Sequence, residues 1–267
     1  MTKKNSALVQ LLIGFMVLAT PTASVAQTLR HIQPENISEM PSEKEMAEWK
    51  ALNEQASDEN ADLPSDVWGR YEELMENPIL DALYSGHCSW YCGGEVQRVT
   101  ASSHLAGQGK FSYQPKNAHD FNHESVWAEG AKGQGVGEWL DYEFAGACPR
   151  ITRVCILSGH VKTPAAWQDN SRPKQLKMYY MGKPYAILEL KDIRGLQEFD
   201  VTLPLSPAEV KKAKEKDEYA YEFIPLGYHD ASKPNWHLRF EIMSVYPGTK
   251  YEDTVISELY FDGIDVH

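Results

Sequence analysis

The chain has 267 residues, of which 42% are hydrophobic and 24% are charged, so it can bury a sizeable core and is not disordered throughout. Its 38 acidic residues outnumber its 26 basic ones, for a formal net charge of -12. Because phosphate binding needs clustered Lys and Arg, this balance argues against nucleic acid as a partner.

The first 26 residues have the three parts of a secretory signal peptide. A basic start with Lys3 and Lys4 precedes an apolar run from Ala7 to Ala19 and a small-residue end, Thr22 to Ala26. The apolar run is shorter than the roughly 20 residues of a spanning helix, and no later segment is apolar enough to span a bilayer. We therefore expect cleavage after Ala26, a secreted or periplasmic product, and no membrane span.

Residues 27–84 form an acidic segment in which two stretches predict amphipathic helices. In the first, residues 42–52, Ser42 and Glu45 have the spacing of a capping box. The second, residues 65–75, has apolar residues on one side and lacks such a box. We interpret the segment as a partly helical, flexible tether whose helices dock on the main domain. An assembly or scaffold protein that holds a protein partner through these helices is an alternative.

Residues 85–267 consist of short β-rich runs separated by Gly, Pro and Asn breaks. Several runs alternate apolar and polar residues with a period of two, as half-buried antiparallel strands do. About eight such strands predict an all-β fold, with a β-sandwich as the architecture. The predicted strands are residues 95–103, 138–144, 151–159, 175–180, 185–190, 197–203, 236–242 and 256–263. Residues 206–216 are an exception, because Ser before Pro predicts a short exposed helix.

Four cysteines in an exported chain predict disulfides. Four cysteines allow three pairings, and we predict Cys88 with Cys92 and Cys148 with Cys155. The alternative is a zinc site made of all four thiolates, which the spacing disfavours because neither pair has the two-residue gap of zinc ribbons. Two tryptophans in strand context, Trp127 and Trp139, are expected to pack in the core.

Short motifs follow one another in a distinctive order in the β-rich half: Ala118 to Asp120, Ser125 to Trp127, Gly137 to Phe144, Gly159 to Lys162, Asn170 to Lys174, Val245 to Thr254, and Ile256 to Gly263 with Glu258. In this order they resemble the discoidin-like family (coagulation factor V/VIII type C), and more closely its NADase-type glycan-binding or translocation branch. The resemblance implies a galactose-binding-like jelly-roll β-sandwich and a carbohydrate-binding role. None of it lies in a glycohydrolase catalytic domain.

The polar stretch from His119 to Gly130 does not fit a catalytic zinc site. His123 is followed by Glu124, whereas the H-E-x-x-H motif places Glu directly after its first His, and the flanks are not helical. A hydrolase of unfamiliar type that uses the acids of the 119–129 loop is an alternative, because paired carboxylates perform glycosidase chemistry when they stand a suitable distance apart.

The resemblance implies a structural calcium site in the same stretch. Calcium prefers hard oxygen ligands and tolerates irregular geometry. Oxygens of Asp120, Asn122 and Ser125, beside Glu258 of the last strand, supply such a set, and the ion then ties an early loop to that strand. Hydrogen bonds within the loop, without a metal, are the alternative.

The resemblance also implies ligand binding by loops at one end of the sandwich. We predict that Trp167 offers a stacking face, that Asn170 and Arg172 donate directed hydrogen bonds, and that Tyr246 and Lys250 border the site with their neighbour Tyr251. Internal bracing of the loop by the same residues is the alternative. With no catalytic motif found, we expect a secreted, non-catalytic binding module for a glycan or another extracellular ligand.

Overall fold

The computed structural model describes residues 28–56, 63–84 and 90–266, so the predicted signal peptide and Cys88 lie outside the described residues. The described chain forms two packed β-sheets, a small two-stranded sheet and five α-helices. The strands are β1 (Arg30–Ile32), β2 (Asn36–Glu39), β3 (Val96–Ala101), β4 (Trp127–Ala128), β5 (Trp139–Phe144), β6 (Ile151–Ser158), β7 (Arg172–Tyr180), β8 (Lys183–Glu189), β9 (Gly195–Asp200), β10 (Leu203–Pro204), β11 (Phe223–Ile224), β12 (Trp236–Tyr246) and β13 (Val255–Gly263).

The helices are α1 (Glu43–Ala56), α2 (Ser65–Met75), α3 (Pro78–Tyr84), α4 (Pro164–Asp169) and α5 (Pro207–Lys214), with 3-10 turns at Trp90–Cys92 and Pro115–Ala118. In the described part of the chain, no helix is both long enough and apolar enough to cross a membrane.

The larger sheets have six and five strands, in the orders β1-β8-β7-β12-β5-β3 and β2-β9-β6-β13-β4. Their strands pair antiparallel, except that β1 pairs parallel to β8. The small sheet joins β10 to β11 on either side of α5. All eight predicted strands are present with shifted ends, and the predicted β-sandwich is confirmed.

The core between the two large sheets is built by residues that alternate along the strands. On β12, Trp236, Leu238, Phe240 and Ile242 are buried, whereas the residues between them face the opposite side of the sheet. The ring of Trp236 stacks on Phe144 at 4.4 Å between centroids. This alternation leaves a polar outer face on the six-stranded sheet.

The N-terminal segment takes part in both sheets. β1 lies beside β8 on the six-stranded sheet, and β2 lies beside β9 on the five-stranded sheet. Arg30 anchors the N-terminal segment to the sandwich, because its guanidinium donates to the carbonyls of Val201 and Thr202 at 2.7 and 2.6 Å. The predicted division at residues 84 and 85 therefore separates two strands from the sandwich with which they pair.

The two predicted helices, α1 and α2, pack on each other and on α3, and α3, which the sequence did not predict, packs on the sandwich. The capping box is confirmed, since Ser42 Oγ accepts from the Glu45 amide and the Glu45 carboxylate accepts from the Ser42 amide. Trp49 of α1 is buried against residues of α2 and α3. Ile79 of α3 packs with Leu157 on the outer side of the five-stranded sheet. α3 therefore packs on the outer side of that sheet, and α1 adds an ion pair between Lys50 and Glu124.

Two of the sequence predictions about side chains are wrong. Cys148 and Cys155 are thiols rather than a disulfide, because Val154 and Ile156 of β6 face the central core and Cys155 faces the opposite side. Burial raises the pKa of the Cys155 thiol well above its ordinary value. Trp127 is buried as expected, but Trp139 lies on the outer face, because its neighbour Leu140 points into the core. The Cys88–Cys92 pairing stays a prediction.

A chain that begins at Met40 should be less stable than one that begins at Thr28, because it lacks β1 and β2. The loss of the two charge-assisted hydrogen bonds of Arg30 alone is expected to cost about 2 kcal/mol. Denaturant unfolding of both chains, with Arg30→Ala in the longer chain as an intermediate case, measures this. Equal free energies of unfolding would show that the two strands are dispensable.

Candidate functional site

A cleft of about 370 Å³ opens at one end of the sandwich, where β6 ends and β7 and β13 begin. Its floor is apolar, because Val126, Ala128 and Val255 are buried there against Leu105 and Tyr113. Its polar and aromatic lining is Gln108, Tyr113, His160, Asp169, Asn170, Tyr251 and Asp253. We call this the end cleft.

One wall of the end cleft is the turn between β12 and β13, residues 247–254, which is held against α4. We call it the late turn. The backbone amides of Lys250 and Tyr251 donate to the Asp169 carbonyl at 3.1 and 2.8 Å. Gly248 is required at this contact, because a Cβ there would lie 2.5 Å from the same carbonyl oxygen. The turn presents Tyr251, whose side chain is 44% exposed, at the edge of the cleft.

The polar lining of the end cleft is rich in acceptors. Asp169 and Asp253 contribute carboxylates, and no Lys or Arg lines the cleft among the described residues. His160 Nε2 is buried without a hydrogen-bond partner in the described chain, and burial lowers the pKa of this imidazole. The arrangement suits a ligand that brings hydroxyl donors and an apolar face rather than an anion.

The structure places Trp167 and Arg172 beside the end cleft, in contact with each other. The Arg172 guanidinium lies 4.2 Å from the centre of the Trp167 ring, and Trp167 Nε1 donates to the Ser158 carbonyl. Arg172 is only 7% exposed and donates to Asp192 and to the carbonyls of Trp167 and Asn170. These contacts brace the loop, which is the alternative reading of the sequence.

The other predicted ligand residues are divided. Asn170 lines the end cleft. Its Nδ2 donates to the Ala166 carbonyl, and this hydrogen bond caps the C-terminus of α4. Tyr246 donates its hydroxyl to the Leu190 carbonyl, away from the lining. Lys250 Nζ lies 4.9 Å from the centre of the Tyr251 ring, so it neighbours the cleft through that ring. Whether these residues bind a ligand stays a prediction.

The structure brings the predicted metal residues together where the 119–125 loop meets β13. Ser125 Oγ lies 2.9 and 2.7 Å from the two carboxylate oxygens of Asp120. The Asn122 amide donates to Glu258 Oε1 at 2.7 Å, which joins the loop to β13. The Asn122 side-chain oxygen accepts from the Glu124 amide, so Asn122 contributes its backbone to this contact. We call Asp120, Ser125 and Glu258 the carboxylate cluster.

Glu258 is fully buried, and its Oε2 has no hydrogen-bond partner among the described residues. Burial, and next the charge of Asp120, raise the pKa of Glu258 well above its ordinary value. Two carboxylates that repel each other, one with an unused oxygen, fit a divalent cation. The described residues contain no group of three or more His, Cys, Asp or Glu around a common point, so hydroxyl and carbonyl oxygens would have to complete the coordination.

The remaining acids of the 119–129 loop have structural partners. Glu124 is bonded to Lys50 of α1 and to Lys162, and these hydrogen bonds lower its pKa to about 2. Glu129 is buried and accepts from the amides of Ala131 and Thr254. Because each acid faces different partners, the loop does not present a carboxylate pair to solvent.

Several lining residues of the end cleft were missed from the sequence. Gln108 and Tyr113 lie in a loop without a recognisable motif, and Asp253 stands out only as part of the Val245 to Thr254 family motif. His160 lies in the Gly159 to Lys162 family motif, but its spacing from other histidines and acids matches no ligand pattern. The late turn is the one usable signal, because the sequence predicts Tyr251 at the border of the site.

Comparison with protein families matches residues 90–262 to the NAD glycohydrolase translocation F5/8 type C domain. A comparison with curated proteins found no match. Among solved structures, the CBM32-1 and CBM32-2 domains of Clostridium perfringens ZmpB share 11% identity at a TM-score of 0.38, over 63% of this chain and 34% of that chain. The present chain therefore spans about a third of that structure.

Two single-module structures from Clostridium perfringens are also similar. CpGH89CBM32-5, in complex with GalNAc-β-1,3-galactose, has 10% identity and a TM-score of 0.38, over 62% of this chain and 94% of that chain. CBM32-3 from a family 31 glycoside hydrolase has 12% identity and a TM-score of 0.39, over 65% of this chain and 92% of that chain.

Arg172→Ala should lower the free energy of unfolding by about 2 to 3 kcal/mol, because two carbonyls and Asp192 lose charge-assisted donors. Arg172→Lys should not restore it, since one ammonium cannot replace the planar fork. Lys174→Ala, on the same strand and exposed, is the control and should change stability by less than about 0.5 kcal/mol. Denaturant unfolding decides, and equal values for all variants would disprove the bracing role.

Proposed function

The chain belongs to the NAD glycohydrolase translocation F5/8 type C domain family, and from this we propose that it is a secreted or periplasmic, non-catalytic domain that binds a glycan in the end cleft. The observation that carries the proposal is the end cleft itself, with its apolar floor and acceptor-rich lining. The predicted signal peptide supports export.

The size and chemistry of the end cleft support a saccharide ligand. Its volume of about 370 Å³ falls within the usual range of small-ligand sites. Tyr113 and Tyr251 supply rings that can cover the apolar face of a sugar, and the carboxylates of Asp169 and Asp253 accept from its hydroxyls. The surrounding backbone is fixed by hydrogen bonds between α4 and the late turn, which lowers the entropy lost on binding.

A calcium ion at the carboxylate cluster is the second part of the proposal. Asp120 and Glu258 would hold it with the Ser125 hydroxyl and nearby carbonyl oxygens, and the ion would neutralise the two carboxylates. The buried, unused oxygen of Glu258 supports this assignment. The ion's role would be structural, since it would join the 119–125 loop to β13.

Tyr251→Ala should weaken glycan binding about tenfold, equivalent to about 1.4 kcal/mol, because the ring at the edge of the end cleft is lost. A glycan array with the labelled chain finds the ligand, and titration of the best hit gives the affinities. Tyr219→Ala is the matched control, because Tyr219 is 83% exposed and lies outside the end cleft. Unchanged binding by Tyr251→Ala would remove the end cleft from the proposal.

Calcium should raise the melting temperature of the protein, and excess chelator should reverse the effect. At a free concentration of about 100 times Kd, the expected stabilisation is about 2.7 kcal/mol. Glu258→Gln should abolish the response, whereas Glu252→Gln, an exposed acid on the late turn, should retain it. Thermal scans with calcium and with chelator test this, and identical melting temperatures for the parent protein would exclude the ion.

A further inference from the structure

A second cleft, of about 400 Å³, lies on the outer face of the six-stranded sheet. It is lined by Asp141, Tyr179, Met181, Gly182, His237, Arg239 and Glu241. We call it the sheet cleft. None of these residues lines the end cleft, so the two are distinct surfaces.

The lining of the sheet cleft follows from strand register. Arg239 on β12 is opposite Asp141 on β5 and opposite Tyr179 on β7, so these three residues form one row across three neighbouring strands. Glu241 and His237 lie two residues to either side of Arg239 on the same face of β12. The β7–β8 turn, at Met181 and Gly182, closes one side of the cleft.

Asp141 is the unusual member of this row. On an outer sheet face, polar side chains are ordinarily solvated, yet Asp141 is only 9% exposed. Its carboxylate lies 3.2 Å from His237 Nδ1 and 3.9 Å from Arg239 Nη2, longer than the roughly 2.7 to 2.9 Å of charge-assisted hydrogen bonds. Burial raises the pKa of Asp141. The Asp141 carboxylate therefore has lone pairs that make no short hydrogen bond with the described residues, and these can accept from a ligand.

The groups around Asp141 are held in place. The Arg239 guanidinium lies 4.1 Å from the centre of the Trp139 ring, which fixes its plane. The Tyr179 hydroxyl donates to Glu241 Oε2 at 2.7 Å. Because these side chains are already oriented by one another, a ligand would lose little side-chain entropy to them on binding.

The sheet cleft offers donors and acceptors in alternation with mixed charge. Asp141 and Glu241 accept, whereas Arg239 donates and the imidazole of His237 can do either. Two carboxylates disfavour an anionic ligand, and the Arg239 guanidinium, 3.9 Å from Asp141, disfavours a cationic one. Vicinal hydroxyls, which both donate and accept, match this pattern, and the volume holds a mono- or disaccharide.

We propose that the sheet cleft is a second carbohydrate subsite, which takes a neutral saccharide through hydrogen bonds from its hydroxyls to Asp141 and Glu241 and from Arg239 to its oxygens. The inference stands apart from the end cleft. If both clefts bind, one chain holds a polysaccharide at two places and gains effective concentration without new contacts.

Titration calorimetry of the full chain with lactose, cellobiose and chitobiose, and with galacturonic acid as an anionic comparison, tests the proposal. At least one neutral probe should bind, and Asp141→Asn should weaken that binding at least tenfold at the sheet cleft. Galacturonic acid should bind there more weakly than the neutral probe. Glu143→Gln is the matched control, because Glu143 is on the same strand and face, is bonded to Arg98 and Asn235, and lies outside the cleft lining.

Asp141→Asn removes a carboxylate that burial already disfavours in its charged form, so the variant should fold, and its melting temperature checks this. Glu241→Gln is a second variant with the same expected loss. Tyr251→Ala separates the two clefts: binding lost in Tyr251→Ala and kept in Asp141→Asn and Glu241→Gln overturns this inference and leaves the proposed function intact. Binding lost only in the sheet-cleft variants supports the inference against the end cleft, and absence of binding by every neutral probe overturns it.

Discussion

The two-residue period of the paired strands is the constraint on which the core and the sheet cleft depend. β12 lies near the middle of the six-stranded sheet and sends Trp236, Leu238 and Phe240 into the core. The same backbone must then send Arg239 and its polar neighbours outward. A shift of one residue in register would exchange the two sets, so the sheet cleft and the core are fixed together.

The outer faces of the two large sheets differ. On the five-stranded sheet, Ile79 of α3 packs on Leu157, and Trp49 is buried among the helices of the N-terminal segment. The six-stranded sheet keeps a polar outer face with Trp139, Asp141 and Tyr179. Because β1 and β2 are edge strands, the segment that supplies α3 also forms one edge of each large sheet.

Two buried carboxylates show that the neighbouring groups determine which kind of ligand a carboxylate favours. Glu258 lies beside Asp120 in the carboxylate cluster and has an unused oxygen, which favours a cation between like charges. Asp141 lies 3.2 Å from the His237 imidazole and 3.9 Å from the Arg239 guanidinium. This environment favours neutral hydroxyl donors. Burial raises the pKa of both groups, but the neighbouring charge differs in sign.

The sequence by itself determined the alternating strands, the capping box at Ser42 and the meeting of the 120–125 loop with Glu258, because period, local hydrogen bonding and family motifs are readable along the chain. Only the tertiary structure decided that Arg172 braces Trp167, that Cys155 faces away from Cys148, and that residues as distant as Gln108, Asn170 and Tyr251 line one cleft. These outcomes depend on which strands become neighbours and which face each strand turns to the core. Strand pairing between distant segments sets both, and no local pattern encodes it.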